Sequence, residues 1–282
     1  MGPVLMSLLI GVGFAGLMDL FSNDDDTPPE GENLIYDGSD ILHGTEGDDT
    51  LTADDQDPDI DSPDTVYLLG GDDTVELGRD GPGAVEIFGG AGDDSMHVFS
   101  VTGLYGEEGN DTLTSYSGSS LYGGEGDDVL QHTSGGGDYS DQVSGGDGND
   151  TIILNSYFGS GMESDAGNVS VSGGSGADHF EVNLELERNS LEEDEGTAGE
   201  PLYFSDFVPG EDTLEVNISR SSGQEDREMQ FAELRHRTDG DQDITELAMR
   251  FDGATDTSDA WVKLRFAGHL DLTLADIRIN QV

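Results

Sequence analysis

Apolar residues recur in this chain at two fixed places around a repeated polar run. Two residues before each run stand Leu42, Val66, Ile87, Leu104, Leu121, Val143 and Val171, all aliphatic. Two residues beyond its last aspartate stand Leu51, Val75, Met96, Leu113, Leu130, Ile152 and Phe180, all apolar. Between the first column and the run lie His43, Tyr67, Phe88, Tyr105, Tyr122, Ser144 and Ser172. Side chains alternate faces along a strand, so two inward columns place this third one outside, as a partial aromatic ladder. Stacking that stabilises successive turns explains such a ladder better than a carbohydrate-binding stripe. Each turn reads as short strand, polar run, short strand, polar turn. The pattern predicts an all-β chain, a parallel β-roll or β-helix solenoid of about seven turns.

The polar runs share one composition. Gly89-Gly90-Ala91-Gly92-Asp93-Asp94, Gly106-Glu107-Glu108-Gly109-Asn110-Asp111, Gly123-Gly124-Glu125-Gly126-Asp127-Asp128 and Gly145-Gly146-Asp147-Gly148-Asn149-Asp150 are the clear copies. Gly44–Asp49 and Gly173–Asp178 extend the series, and Gly70-Gly71-Asp72-Asp73 is a worn copy. The closing aspartates are Asp49, Asp73, Asp94, Asp111, Asp128, Asp150 and Asp178, at steps of 24, 21, 17, 17, 22 and 28 residues. Ca²⁺ takes hard oxygen ligands from carboxylates and main-chain carbonyls. Turning several carbonyls onto one centre requires backbone angles that side chains disfavour, hence the glycines. Candidate metal-site residues are the seven aspartates with Gly89, Gly106, Gly123, Gly145 and Gly173. A flexible Gly/Asp linker gives no reason for an apolar residue at a constant offset.

Composition sharpens this. Hydrophobic residues are 33% of the chain, glycines number 42 and the net charge is -52, a balance that alone suggests disorder. Adjacent coils lie about 4.8 Å apart, where two carboxylates repel by roughly 3 kcal/mol at an effective dielectric of 20. Without a cation the roll is expected to be loose or unfolded, so metal binding becomes folding free energy. Of ten basic residues only Arg79 precedes Arg188, which excludes nucleic acid and anionic membrane surfaces as partners. Cysteine is absent, excluding disulfides and thiolate chemistry.

The flanks differ from the repeats. Residues 1–21 are apolar and read as an anchor, a signal-like segment or a docking tail, so membrane contact is expected only through residues 3–18, if at all. Gly11–Gly16 matches a dinucleotide fingerprint by accident, with no βαβ unit around it. An acidic linker spans 22–39, the roll 40–183, an acidic connector 184–200 and a β-rich cap 201–282. Two acidic loops, Asp54–Asp61 and Asp239–Asp243, fail as EF-hands. Ile60 and Ile244 stand where glycine is needed, and Val66 and Arg250 where glutamate is needed.

The repeats resemble the RTX (hemolysin-type) calcium-binding β-roll proteins. Phe204–Leu214 and Leu270–Ile277 resemble the region that follows the roll in serralysin-type proteins. The resemblance implies Ca²⁺ between successive turns, held by the phrase aspartates and by carbonyls of the glycine-rich turn. It also implies an extracellular protein exported by type I secretion machinery and folded by extracellular calcium. One phrase per turn implies a single file of ions. No His-Glu-x-x-His occurs, which excludes a metalloprotease. A non-catalytic surface, matrix or adhesion role is expected. The alternative is a polysaccharide-active lyase, hydrolase or epimerase, for which His97, His132 and His179 are candidates.

Overall fold

The computed structural model describes residues 30–35, 39–52, 63–78, 85–99, 103–116, 118–134, 141–158, 169–186, 202–220, 229–251 and 260–281. The N-terminal apolar segment, the Asp54–Asp61 loop and most of the 184–200 connector lie outside them. Among the described residues every regular element is a strand.

The coils follow one another as strand pairs: β1 (Ile41–His43) with β2 (Thr50–Thr52), β3 (Thr65–Gly70) with β4 (Thr74–Leu77), and β5 (Glu86–Ala91) with β6 (Ser95–Val98). Then come β7 (Gly103–Glu108) with β8 (Thr112–Tyr116), β9 (Ser120–Glu125) with β10 (Val129–Ser134), and β11 (Gln142–Asp147) with β12 (Thr151–Phe158). After these lie β13 (Val169–Ser175), β14 (His179–Leu186), β15 (Leu202–Phe204), β16 (Thr213–Arg220), β17 (Met229–Asp239), β18 (Gln242–Phe251), β19 (Ala260–Ala267) and β20 (Ile277–Gln281).

First members of the pairs form one sheet, in the order β1-β3-β5-β7-β9-β11-β13-β15-β19-β18-β17, and second members the other, β2-β4-β6-β8-β10-β12-β14-β16-β20. Pairing is parallel from coil to coil, and the register sets like columns side by side: Ile87 opposite Leu104, Leu104 opposite Leu121, Met96 opposite Leu113. Both apolar columns are buried between the sheets in one continuous core. The fold is the parallel β-roll that the periodicity predicts.

The parallel stack continues past the seventh phrase. β13 pairs with β15 and β15 with β19; β14 pairs with β16 and β16 with β20. Between β16 and β19 the chain inserts an antiparallel hairpin, β17–β18, which extends the first sheet alongside β19. Phe180, Phe204, Phe207 and Phe266 meet edge-on, tilted or stacked at this end, closing the core where the glycine-rich phrases stop. Glu246 on β18 is buried, with Arg237 at 3.2 Å and Arg265 at 3.7 Å. Much of the basic charge thus serves the cap.

Candidate metal centre

Each phrase joins a strand of the first sheet to its partner in the second, so all the phrases lie along one edge of the roll. There the closing aspartates form a ladder. The main-chain N–H of Asp49 donates to Asp73 Oδ1 at 2.6 Å, Asp73 to Asp94 at 2.8 Å and Asp94 to Asp111 at 2.8 Å. Asp111 donates to Asp128 at 2.8 Å, Asp128 to Asp150 at 2.9 Å and Asp150 to Asp178 at 3.0 Å. All seven aspartates singled out from sequence are brought into one buried line. The line has an eighth member: Asp178 N–H donates to Asp212 Oδ1 at 3.1 Å. Asp212 belongs to no glycine-rich phrase, yet Asp212-Thr213-Leu214 repeats the ending of Asp111-Thr112-Leu113, which is the signal that identifies it.

The second carboxylate oxygen distinguishes one coil from another. Oδ2 of Asp73, Asp94, Asp111, Asp128 and Asp150 is buried with no hydrogen-bond partner. A buried anionic oxygen without a donor is costly unless a cation or a proton joins it. Oδ2 of Asp94, Asp111, Asp128 and Asp150 lies beside the first residue of its own phrase, a glycine that leaves a cradle. A methyl group at Gly106 would overlap Asp111 Oδ2 and stand 2.6 Å from the Gly123 carbonyl oxygen of the next coil. The corresponding carbonyl distances are 2.8 Å at Gly89, 2.5 Å at Gly123 and 2.5 Å at Gly145. A carboxylate oxygen and a carbonyl oxygen therefore face a space that only glycine leaves open, and both are ligand types that Ca²⁺ accepts. Among the described residues no group of three or more His, Cys, Asp or Glu side chains is placed to hold a metal by itself, so a cation here draws on main-chain oxygens. The donor set fits Ca²⁺, a hard cation that accepts carbonyl ligands.

The electrostatics agree. Burial pushes the carboxyls of Asp73, Asp94 and Asp128 up to about 7 and those of Asp111 and Asp150 up to about 6, against the lowering effect of the donated main-chain N–H. Neighbouring carboxylates add to the rise. Such groups call for a positive charge beside them.

The ends of the file differ from its middle. Asp49 accepts from Glu32 N at 2.6 Å and Thr45 N at 2.6 Å, so both its oxygens have protein donors. At the other end, Asp206 meets the start of the Gly173 phrase. Asp206 accepts from Gly173 N and Gly174 N, each at 3.0 Å, and from the Ser172 hydroxyl. Burial raises Asp178. The role of Asp206 was not legible in the repeats, because its turn has lost their leading pair of glycines.

A second, exposed ladder runs beside the first. Asp72 N donates to Asp48 Oδ1 at 3.0 Å, Asp93 to Asp72 at 3.0 Å, Asn110 to Asp93 at 2.8 Å and Asp127 to Asn110 at 2.8 Å. Asn149 donates to Asp127 at 2.7 Å and Ala177 to Asn149 at 3.1 Å, where the ladder ends for want of a side-chain acceptor. Asn149 also donates through its side chain, and its hydrogen bonds hold the Asp127 carboxyl below its ordinary range. The sequence signal is the Asp or Asn that precedes each closing aspartate from Asp49 to Asp150.

On the outer face of the first sheet His43, Tyr67, Phe88, Tyr105 and Tyr122 stack at centroid distances of 5.5, 5.0, 4.4 and 4.8 Å. The rings turn their faces to one another, which is the structural role expected of them. The three candidate histidines are not brought together. His97 tilts against Tyr116, and His179 Nδ1 lies 2.8 Å from Thr213 Oγ1. His132 is buried, with Nδ1 3.0 Å from Ser115 Oγ and Nε2 3.2 Å from Asp141 Oδ2, outside hydrogen-bonding direction. Ser115 and His132 are buried, and the Asp141 side chain is 10% exposed.

The chain matches the family model of the RTX calcium-binding nonapeptide repeat (4 copies) over residues 35–57, 79–98, 105–135, 135–156 and 162–183. With the roll and its aspartate edge, this match supports an RTX hemolysin-type repeat protein. Its repeats are calcium-binding repeats and Ca²⁺ is its metal. No curated protein matches the chain.

Proposed function

We propose that this is a secreted protein that folds on meeting extracellular Ca²⁺ and then acts without catalysis, as a surface, matrix or adhesion component. The observation that carries the calcium reading is the row of buried Oδ2 atoms without donors, four of them beside a glycine cradle. Asp94, Asp111, Asp128 and Asp150 are the ligands with the most support, assisted by the carbonyls of Gly106, Gly123, Gly145 and Gly173. Bound Ca²⁺ supplies positive charge that neighbouring carboxylates share. The protein's own part is to hold Oδ1 by a main-chain N–H, keep Oδ2 dry and leave the cradle clear.

Export follows from the same chemistry. A chain of net charge -52 resists compaction where free calcium is scarce and collapses where it is plentiful. That behaviour suits passage through a type I secretion channel unfolded. The region 201–282 would then serve as cap and export signal, in keeping with its resemblance to the segment after serralysin-type rolls. Extracellular polysaccharide or a cell surface is the partner class proposed for the folded roll. The test is expression with a type I exporter in calcium-poor and calcium-rich medium. Recovery of folded protein only from calcium-rich medium supports the reading; retention in the cytoplasm under both conditions contradicts it.

A further inference from the structure

The second phrase keeps the path of the others while changing what lies inside it. Its first two places, glycine in the clear copies or glycine followed by Glu107, are filled by Leu68 and Leu69. The register is unaltered: Tyr67 pairs with Phe88 and Leu69 with Gly90, which sets Leu68 opposite Gly89. Leu69 holds φ 81, the left-handed conformation that Gly90 adopts at φ 114 one coil on. A β-carbon there is strained, so the turn is the same turn, retained against its local preference.

In this unchanged frame the side chain of Leu68 is fully buried in the core. At the equivalent places Gly89, Gly106, Gly123 and Gly145, a β-carbon would overlap Oδ2 of the phrase's own aspartate. The facing aspartate, Asp73, still lends Oδ1 to Asp49 N at 2.6 Å, and its Oδ2 has no donor. The backbone and the aspartate are therefore those of the neighbouring phrases, with a buried leucine side chain at the place where they have none.

We propose that Leu68 closes the cleft of Asp73 to calcium, so that the ion file begins one coil later, at Asp94. This rests on the calcium reading above and departs from the family pattern, which puts an ion at every phrase. The plug joins the first coils to the core by packing instead of by metal. The N-terminal coils then stay ordered through hydrogen bonds and side-chain contacts, whereas the stretch from Asp94 to Asp150 depends on the ion.

The experiment counts calcium bound per chain after chelation and reloading, in the full chain and three variants. Asp73→Asn keeps the acceptor for Asp49 N–H, and its ion count is expected to equal that of the unaltered protein. Asp111→Asn is expected to lose one ion. Leu68→Gly, with circular dichroism confirming the same β content, is expected to gain one. Loss of an ion by Asp73→Asn overturns the proposal, and so does a folded Leu68→Gly without the gain. If Leu68→Gly does not fold, Asp73→Asn decides alone. An unaltered protein that binds no calcium would instead sink the underlying reading.

Discussion

A carboxylate enclosed between coils needs either a metal or a proton beside it, and the two compete for the same oxygen. Burial raises the carboxyls of Asp94 and Asp128 to about 7 and those of Asp111 and Asp150 to about 6, from an ordinary value of 3.8. These pKa values are raised by folding, so protonation favours the folded state. The contribution is complete below the unfolded value and is lost as pH rises through 6 to 7. Chelated protein is therefore expected to gain β structure as pH falls from about 8 to about 5. Far-UV circular dichroism with excess chelator checks this, and a flat profile would count against the burial of these groups. A second prediction concerns the glycines. Gly124 holds φ 130, and an added β-carbon would run into the Glu107 carbonyl. Gly124→Ala is expected to cost on the order of 1–3 kcal/mol, read as a lower melting temperature in saturating calcium. Glu107 itself tolerates φ 81 one coil earlier, which shows that the position is strained and not forbidden.

At the scale of the strand, stacked registers do most of the organising. Tyr105 lies between Phe88 and Tyr122, nearly parallel to both at 7° and 4°. Tyr105→Ala removes two stacked contacts and is expected to destabilise the calcium-loaded roll by about 1–3 kcal/mol, measured by chemical denaturation at fixed Ca²⁺. The columns at Leu42–Val171 and Leu51–Phe180 were legible in the sequence because period-two alternation restarts at every phrase. The aspartate ladder was legible for the same reason. The coil containing β15 and β16 was harder to read. Its turn keeps Gly210 and Asp212 but has Asp206 and Phe207 in place of the leading glycines, so the glycine-rich pattern stops two coils before the parallel pairing does. The consequence of Leu68 was hidden as well, since a leucine in a worn repeat looks like decay until its opposition to Gly89 is seen.

Over the whole molecule, the two ends of the roll are closed by different means. At the start, Glu32 N and Leu34 N donate to Asp49 Oδ1 at 2.6 Å and to the Thr50 carbonyl at 2.8 Å, covering the edge of β2. At the far end, aromatic packing and the β17–β18 hairpin close the core. Phe266 stacks on Phe204 at 4.9 Å and is fully buried. Phe266→Ala is expected to cost about 3–5 kcal/mol and to raise the calcium concentration needed for folding, as followed by tryptophan-independent circular dichroism. Between these ends lies a body of strong negative charge whose coils repel one another unless ions are shared between them.

The most direct measurement is an equilibrium calcium titration at about pH 8, above the raised carboxyl values, with β content and bound ions followed together. The account predicts little regular structure in chelator and a cooperative rise in β signal that tracks ion uptake. Full β content in chelator at that pH would contradict it.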